Sequence, residues 1–276
     1  VGLEAFQPLA FAALRYWLAA PLMALVAWAS GVRFAPSPQR LWPAWGVGLI
    51  FIGLCNGMVF WAETRLESSY TALLITGSPL WSALLGALAE SKMPGEGRLG
   101  RKGWVGLALG LAGTLLLLRP NPQGSWDLTA ALVVEVSVVL WALGALWVRH
   151  LRHRYHPLEL TTWQMVSGAL ALTLFAVLRG EHLAHSPITA RAWVSLAFLV
   201  VFGSCVAFSA YFYLLRVWPA ARVATSAYVN PVVAVALGWL VLGEWPGFLR
   251  LAGGGLVLLG VGLVLAPAQK SREVPA

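Results

Sequence analysis

The sequence predicts an all-α polytopic membrane protein, an inverted repeat of five-helix units, and three observations predict it. Of 276 residues, 59% are hydrophobic and 11% charged, with a mean hydropathy of +0.75; a water-soluble domain carries about 25% charged residues. The apolar residues are gathered into runs near the 20 or so that a helix needs to cross a bilayer core. The chain also repeats part of itself. A net charge of +8 raises the question of nucleic acid. The basic residues, however, sit in short groups between apolar runs, where they set topology, so no nucleic-acid partner is expected.

Nine spans follow in order: 8–30, 43–64, 69–89, 103–119, 127–148, 157–178, 192–215, 219–243 and 250–266. Each is bounded by short connections rich in Pro, Gly and charge, such as ESKMPGEGRLGRK (residues 90–102) and RHLRHRYHP (residues 149–157). Thirteen Lys and Arg fall in one alternate set of connections, among them Lys92, Arg98, Arg101, Lys102, Arg149 and Arg152, against five in the other. The richer set belongs in the cytoplasm. That places the C-terminal tail (268–276) inside and Val1 outside, in a cell (inner or plasma) membrane.

Cys55 and Cys205 lie within apolar runs, where a free thiol behaves as a small hydrophobe, so no disulfide framework is expected. His150, His153 and His156 recur beside arginines without a carboxylate or cysteine cluster, which reads as a solvated loop rather than a metal site. No metal or cofactor is expected.

FQPLAFAALRYW (residues 6–17) can be laid on YHPLELTTWQMV (residues 155–166), pairing Pro8 with Pro157. FWAETRLESSYTALLITGSP (residues 60–79) likewise runs beside FYLLRVWPAARVATSAYVNP (residues 212–231), pairing Pro79 with Pro231. Matching spans lie an odd number of crossings apart, so the second copy is inverted, a plan common among secondary transporters. The copies cover 1–120 and 126–267. The span at 127–148 has no counterpart before the first, which predicts a helix upstream of Val1 and ten spans in the complete protein.

Pro79 and Pro231 fall near the centres of their spans. A proline there removes a backbone donor, and interrupted helices at matching positions of two repeats point to a binding site, with a packing kink as the alternative. Thr76 and Ser78 precede one proline, Tyr228 and Asn230 the other. Asn56, Phe60 and Glu63 share a helix face, as do Ser204, Phe208 and Tyr211. Amide, phenol and hydroxyls would hold a solute's polar end while Phe60, Trp61 and Phe208 touch its apolar part. Two ionisable residues stand deep in spans, Arg15 and Glu135, each roughly 10–12 Å below the outer face at about 1.5 Å per residue. Their matching depth allows an ion pair. Glu135 is alternatively a cavity carboxylate that takes a proton or a substrate ammonium. Gly106-x-x-x-Gly110 and Gly253 to Gly255 mark packing surfaces, against either the same chain or a second protomer.

LRYW (residues 14–17), CNGM (residues 55–58), GWVGLALGLAG (residues 103–113), WALG (residues 141–144), FGSCVAFSAYFYLLR (residues 202–216) and ATSAYVNPVVAVALGWLVLGE (residues 224–244) together resemble the drug/metabolite transporter superfamily, EamA type, over the whole chain. The resemblance implies ten helices, a central cavity, and export of small metabolites such as amino acids or of hydrophobic cationic solutes. Glu135 and AESKMP (residues 89–94), a poor copy of LGEWP (residues 242–246), depart from the pattern. A secondary active exporter working by alternating access is therefore expected, its partners a small-molecule substrate, the lipid bilayer and a proton as candidate coupling ion. No P-loop is present to use ATP. A membrane-embedded enzyme is the alternative, but H-E-x-x-H and G-x-S-x-G are absent. A channel is another, and it would favour charge rings or carbonyl filters that this sequence lacks.

Overall fold

The computed structural model describes residues 6–34, 37–66, 68–89, 99–118, 127–183, 189–233 and 247–265. They form α1 (Pro8–Ala29), α2 (Pro38–Glu63), α3 (Ser68–Ile75), α4 (Ser78–Ala89), α5 (Arg101–Leu118), α6 (Leu128–Leu151), α7 (Pro157–Leu178), α8 (Ala190–Val217), α9 (Ala220–Ala224), α10 (residues 226–233) and α11 (Gly247–Leu265). Among them, six stretches are long and apolar enough to cross a membrane: α1, α2, Thr71–Ala89, α6, α7 and α8. Most of residues 89–98, the LGEWP stretch apart from its flanking helices, and the tail 268–276 lie outside the described residues.

Helix ends are set locally. Proline opens α1, α2 and α7, where a missing N–H costs nothing. Asp127 caps α6 by accepting from the Ala130 N–H at 3.1 Å, and Thr189 caps α8 through Ala192. α1 and α7 both run 22 residues and both finish in a left-handed glycine, Gly31 (φ 73°) and Gly180 (φ 67°). The following N–H reaches back to a carbonyl of the last turn in each, Val32 to Ala27 and Glu181 to Ala176. α2 begins five residues earlier than expected because Pro38, not Pro43, is its opening proline; Pro43 lies inside.

Two irregularities recur. α2 and α8 each contain eight residues of π-helix, Leu49–Asn56 and Leu199–Val206. The other is a helix break. α3 and α4 are separated at Thr76–Gly77, where the Thr76 hydroxyl donates to the Leu73 carbonyl at 2.6 Å. α9 and α10 are separated at Thr225, whose hydroxyl donates to the Arg222 carbonyl at 2.7 Å.

The chain divides into two compact units. Unit 1 holds α1, α2, α6, α7 and α8; unit 2 holds α3, α4, α5, α9, α10 and α11. In unit 2 the closest approach is between α5 and α11. A Cβ placed on Gly106 would stand 2.5 Å from the Gly260 carbonyl, and one on Gly113 would stand 2.6 Å from the Gly253 carbonyl. The glycine surface is thus used within the chain, as small residues allow backbones to meet. Within unit 1, large apolar side chains such as Leu132, Leu174, Val194, Phe198 and Phe202 are exposed, as lipid-facing positions are.

Candidate functional site

The π stretches of unit 1 hold Asn56 and Ser204, two of the polar groups expected to meet a solute. A π turn widens the helix and leaves carbonyls poorly paired. Arg15 on α1 uses this: its guanidinium donates to the Gly203 carbonyl at 2.6 Å and to the Ser204 hydroxyl at 2.7 Å, and lies 5.0 Å from the centre of the Tyr16 ring. Arg15 therefore meets neutral acceptors. The described residues show ion pairs between Arg40 and Glu159 and between Arg65 and Asp127. Glu135 is half-buried on α6.

Next to Arg15, the Asn56 amide donates to the Tyr16 hydroxyl at 3.2 Å, and the Trp141 indole donates to the Tyr211 hydroxyl at 2.8 Å. The rings interlock: Phe208 meets Tyr16 edge-on at 6.2 Å, and Phe51 meets Trp141 at 4.5 Å. Edge-to-face geometry suits the ring quadrupoles, and the polar tips are satisfied. Asn56, Ser204, Phe208 and Tyr211 thus belong to one contact network. Tyr16 and Trp141, visible in the LRYW and WALG motifs, join them. The thiols of Cys55 and Cys205 are free and buried.

Phe60 and Trp61 face elsewhere. They line a cavity of about 430 Å³ at the end of unit 1 where α1 begins and α7 finishes, here end A. Leu54, Gly57, Met58 and Phe175 form its apolar wall, and Arg179 and Glu181 stand at its edge. The volume lies in the range of small-molecule sites. One Glu181 oxygen accepts from the Leu9 and Ala10 N–H groups at 2.9 and 3.1 Å, capping α1. Sequence reading missed Glu181 because it lies in a loop and acts on a helix 171 residues away.

The opposite end, end B, is held by arginines. Arg149 is buried and donates to the last carbonyls of α8, those of Leu215 at 3.0 Å and Trp218 at 2.5 Å. Arg40 pairs with Glu159 at 3.0 Å, donates to the Arg154 carbonyl at 2.6 Å and lies over the Tyr155 ring at 5.1 Å. Tyr155 in turn donates to the Arg40 carbonyl at 2.5 Å. Burial pushes the Tyr155 phenol above its usual range; Arg40 opposes the rise, Glu159 adds to it, and Arg154 opposes it. Glu159 is 2% exposed and Gln164 is fully buried on the same helix. The test that singled out Arg15 and Glu135, an ionisable residue deep in a span, passes over both, since Glu159 stands in the first turn of its helix and Gln164 carries no charge.

The remaining expected residues belong to unit 2. Thr76 and Ser78 are buried, and the Thr76 hydroxyl is spent on its own helix. Pro79 stands in the first turn of α4, so the interruption is the Thr76–Gly77 break just before it, where a proline is cheap. Pro231 lies inside α10, buried, and Asn230 beside it is exposed. Tyr228 differs from expectation. It is fully buried in the unit 2 core, its ring against Gly110 and its hydroxyl donating to the Leu107 carbonyl at 3.2 Å. A phenol so enclosed packs the unit rather than facing a cavity.

Comparison with known proteins places these features in context. The EamA-like transporter family matches residues 1–119 and again 128–266. The "Uncharacterized inner membrane transporter YedA" of Escherichia coli K12 is 29% identical over 272 residues, 96% of this chain and 83% of that protein. The "Probable terminal-alkyne amino-acid exporter" of Streptantibioticus cattleyicolor is 26% identical over 96% of this chain and 86% of its own length. A solved crystal structure shares the fold with a TM-score of 0.81 at 19% identity, covering 94% of this chain and 87% of that one.

Proposed function

This chain belongs to the EamA-like transporter family, a family of membrane proteins that move small molecules, and we propose that it is a secondary active exporter rather than an enzyme. It carries small metabolites, amino acids or related hydrophobic, aromatic or cationic solutes, across the inner membrane by alternating access. One observation carries the reading: unit 1 has a solute-sized apolar cavity at end A, while its end B is tied shut by Arg40 and Arg149. A carrier needs such an asymmetry, and it needs the contacts that close one end to be breakable. The relative described as an amino-acid exporter supports the substrate class.

The repeats at 1–120 and 126–267 are inverted copies, a reading supported by the paired π stretches, the paired threonine breaks and the matched ends of α1 and α7. End B and the C-terminus are cytoplasmic, in keeping with Arg40, Arg149, Arg152 and Arg154 gathered there. Within unit 1, Asn56, Ser204, Phe208 and Tyr211 contact the solute along its path, with Phe60 and Trp61 at the outer cavity. Glu135 takes a proton or a substrate ammonium.

Counterflow of radiolabelled amino acids and lipophilic cations in proteoliposomes tests this. Saturable flux of at least one solute is expected, and its absence across the panel overturns the carrier reading. Glu135→Gln is expected to flatten the pH dependence of that flux; an unchanged profile removes the proton role.

A further inference from the structure

Two polar side chains on α7 have no use in the packing described. Thr161 and Gln164 are fully buried, and the Thr161 hydroxyl and both polar atoms of the Gln164 amide lack a hydrogen-bond partner. They stand one turn apart, on one face. The helix can satisfy its hydroxyls when only packing is at stake. Thr162 donates to the Leu158 carbonyl at 2.9 Å, Ser167 to Gln164 at 3.2 Å and Thr173 to Ala169 at 2.8 Å. On α2, which packs on this part of α7, the Trp45 indole N–H is also buried and unpartnered. One turn along, Gly48 lies so close to Ser167 and the backbone of Gln164 that it leaves no room for a Cβ.

Orphaned buried polar groups are rare, because each forfeits its hydration and gains nothing back. A leucine at 164 would fill a similar volume without that penalty. At end B, α2 is tied to α7 by the Arg40–Glu159 pair, reinforced by Tyr155. The seal is therefore polar and reversible, and what it covers is polar and unsatisfied.

We propose that Thr161, Gln164 and Trp45 form a hydrogen-bonding subsite for the polar head of the transported solute, covered here and uncovered when α2 and α7 part at end B. The set offers three donor groups, two acceptor groups and no formal charge. It suits a carboxylate, amide or zwitterionic head, whereas an isolated organic cation would leave the donors unused. The inference rests on the carrier reading and narrows its substrate class toward amino-acid-like solutes.

The test uses thiol accessibility, which needs no knowledge of the substrate. In the full chain with Cys55→Ala and Cys205→Ala, Thr161→Cys is exposed to 2-aminoethyl methanethiosulfonate in membranes. Slow reaction is expected. Adding Glu159→Gln, which weakens the seal and keeps its shape, is expected to speed it about tenfold, the response of a two-state equilibrium to a modest change in bias. Equal rates with and without the seal, or no reaction in either, overturn the proposal. Gln164→Leu supplies a second reading: a higher Tm with saturable counterflow lost supports the subsite, and a lower Tm with counterflow intact makes Gln164 a packing residue. If the wild-type chain shows no saturable flux for any solute, the carrier reading fails while the thiol result still reports whether the two helices part.

Discussion

Unit 2 and unit 1 are held together by different chemistry. In unit 2, α5 and α11 meet backbone to backbone at Gly106, Gly113, Gly253 and Gly260, and the Tyr228 ring fills the space over Gly110. In unit 1, α2 meets α7 closely at Gly48, but the helix ends and π stretches are joined by side chains that reach a carbonyl, a helix terminus or an opposite charge. Backbone contact narrows the arrangements open to a helix pair, because nothing flexible lies between the helices. A side chain can exchange one acceptor for another, so the ends of unit 1 have a means to change shape that the glycine contacts of α5 and α11 lack.

The comparison breaks most visibly at the glycines. Gly106→Val puts its branch into the Gly260 carbonyl and has no soft neighbour to displace, so a loss of about 3 kcal/mol or more is expected. Thermal unfolding in detergent measures it; a Tm near wild type would mean that the helices can slide apart. Arg149→Met follows. It deprives the Leu215 and Trp218 carbonyls of a charged donor, with an expected cost of about 2 kcal/mol, and it is expected to change transport as well. Stability lost without any change in counterflow would make this contact as static as those of unit 2.

Smaller effects sharpen the contrast. Glu181→Ala uncaps α1 and is expected to cost about 1 kcal/mol, with faster amide exchange confined to the first turn of α1. Tyr228→Phe removes one hydrogen bond and keeps the ring, an expected loss of about 1 kcal/mol with transport unaffected. The smallest is a pH effect at Tyr155. Its folded pKa is raised by burial, so its contribution is fully present below the phenol's ordinary value near 10 and declines as pH climbs from there through the folded pKa. Stability against pH should fall in that window for the native chain and less for Tyr155→Phe.

Legibility in the sequence followed the range of each interaction. The bundle's helices were readable because apolar run length is local, and their ends moved by only a few residues once Pro38 and the capping groups were seen. The prolines at 79 and 231 pointed to the right stretches, yet the breaks lie at Thr76–Gly77 and Thr225, set by hydroxyls that bond their own backbone. Helical spacing grouped Ser204, Phe208 and Tyr211, which contact Arg15, Tyr16 and Trp141, and the π stretch precedes most of that segment. It could not separate Phe60 and Trp61 from Asn56, because which face of α2 meets the cavity depends on the helices around it. Depth in a span drew attention to Arg15 and Glu135, and drew it away from Glu159 and Gln164 nearer the other end.

By itself the sequence determined that this chain lives in a bilayer, that it does so as helices, and which family it resembles. Lipid forces each spanning segment to satisfy its backbone internally, so composition and run length suffice. Only the tertiary structure decided which polar group meets which: Arg15 with a π-stretch carbonyl, Glu181 with the start of α1, Tyr228 with Leu107. Those partners come from distant segments, and helices that are apolar almost all round carry no pattern strong enough to say in advance which faces will touch.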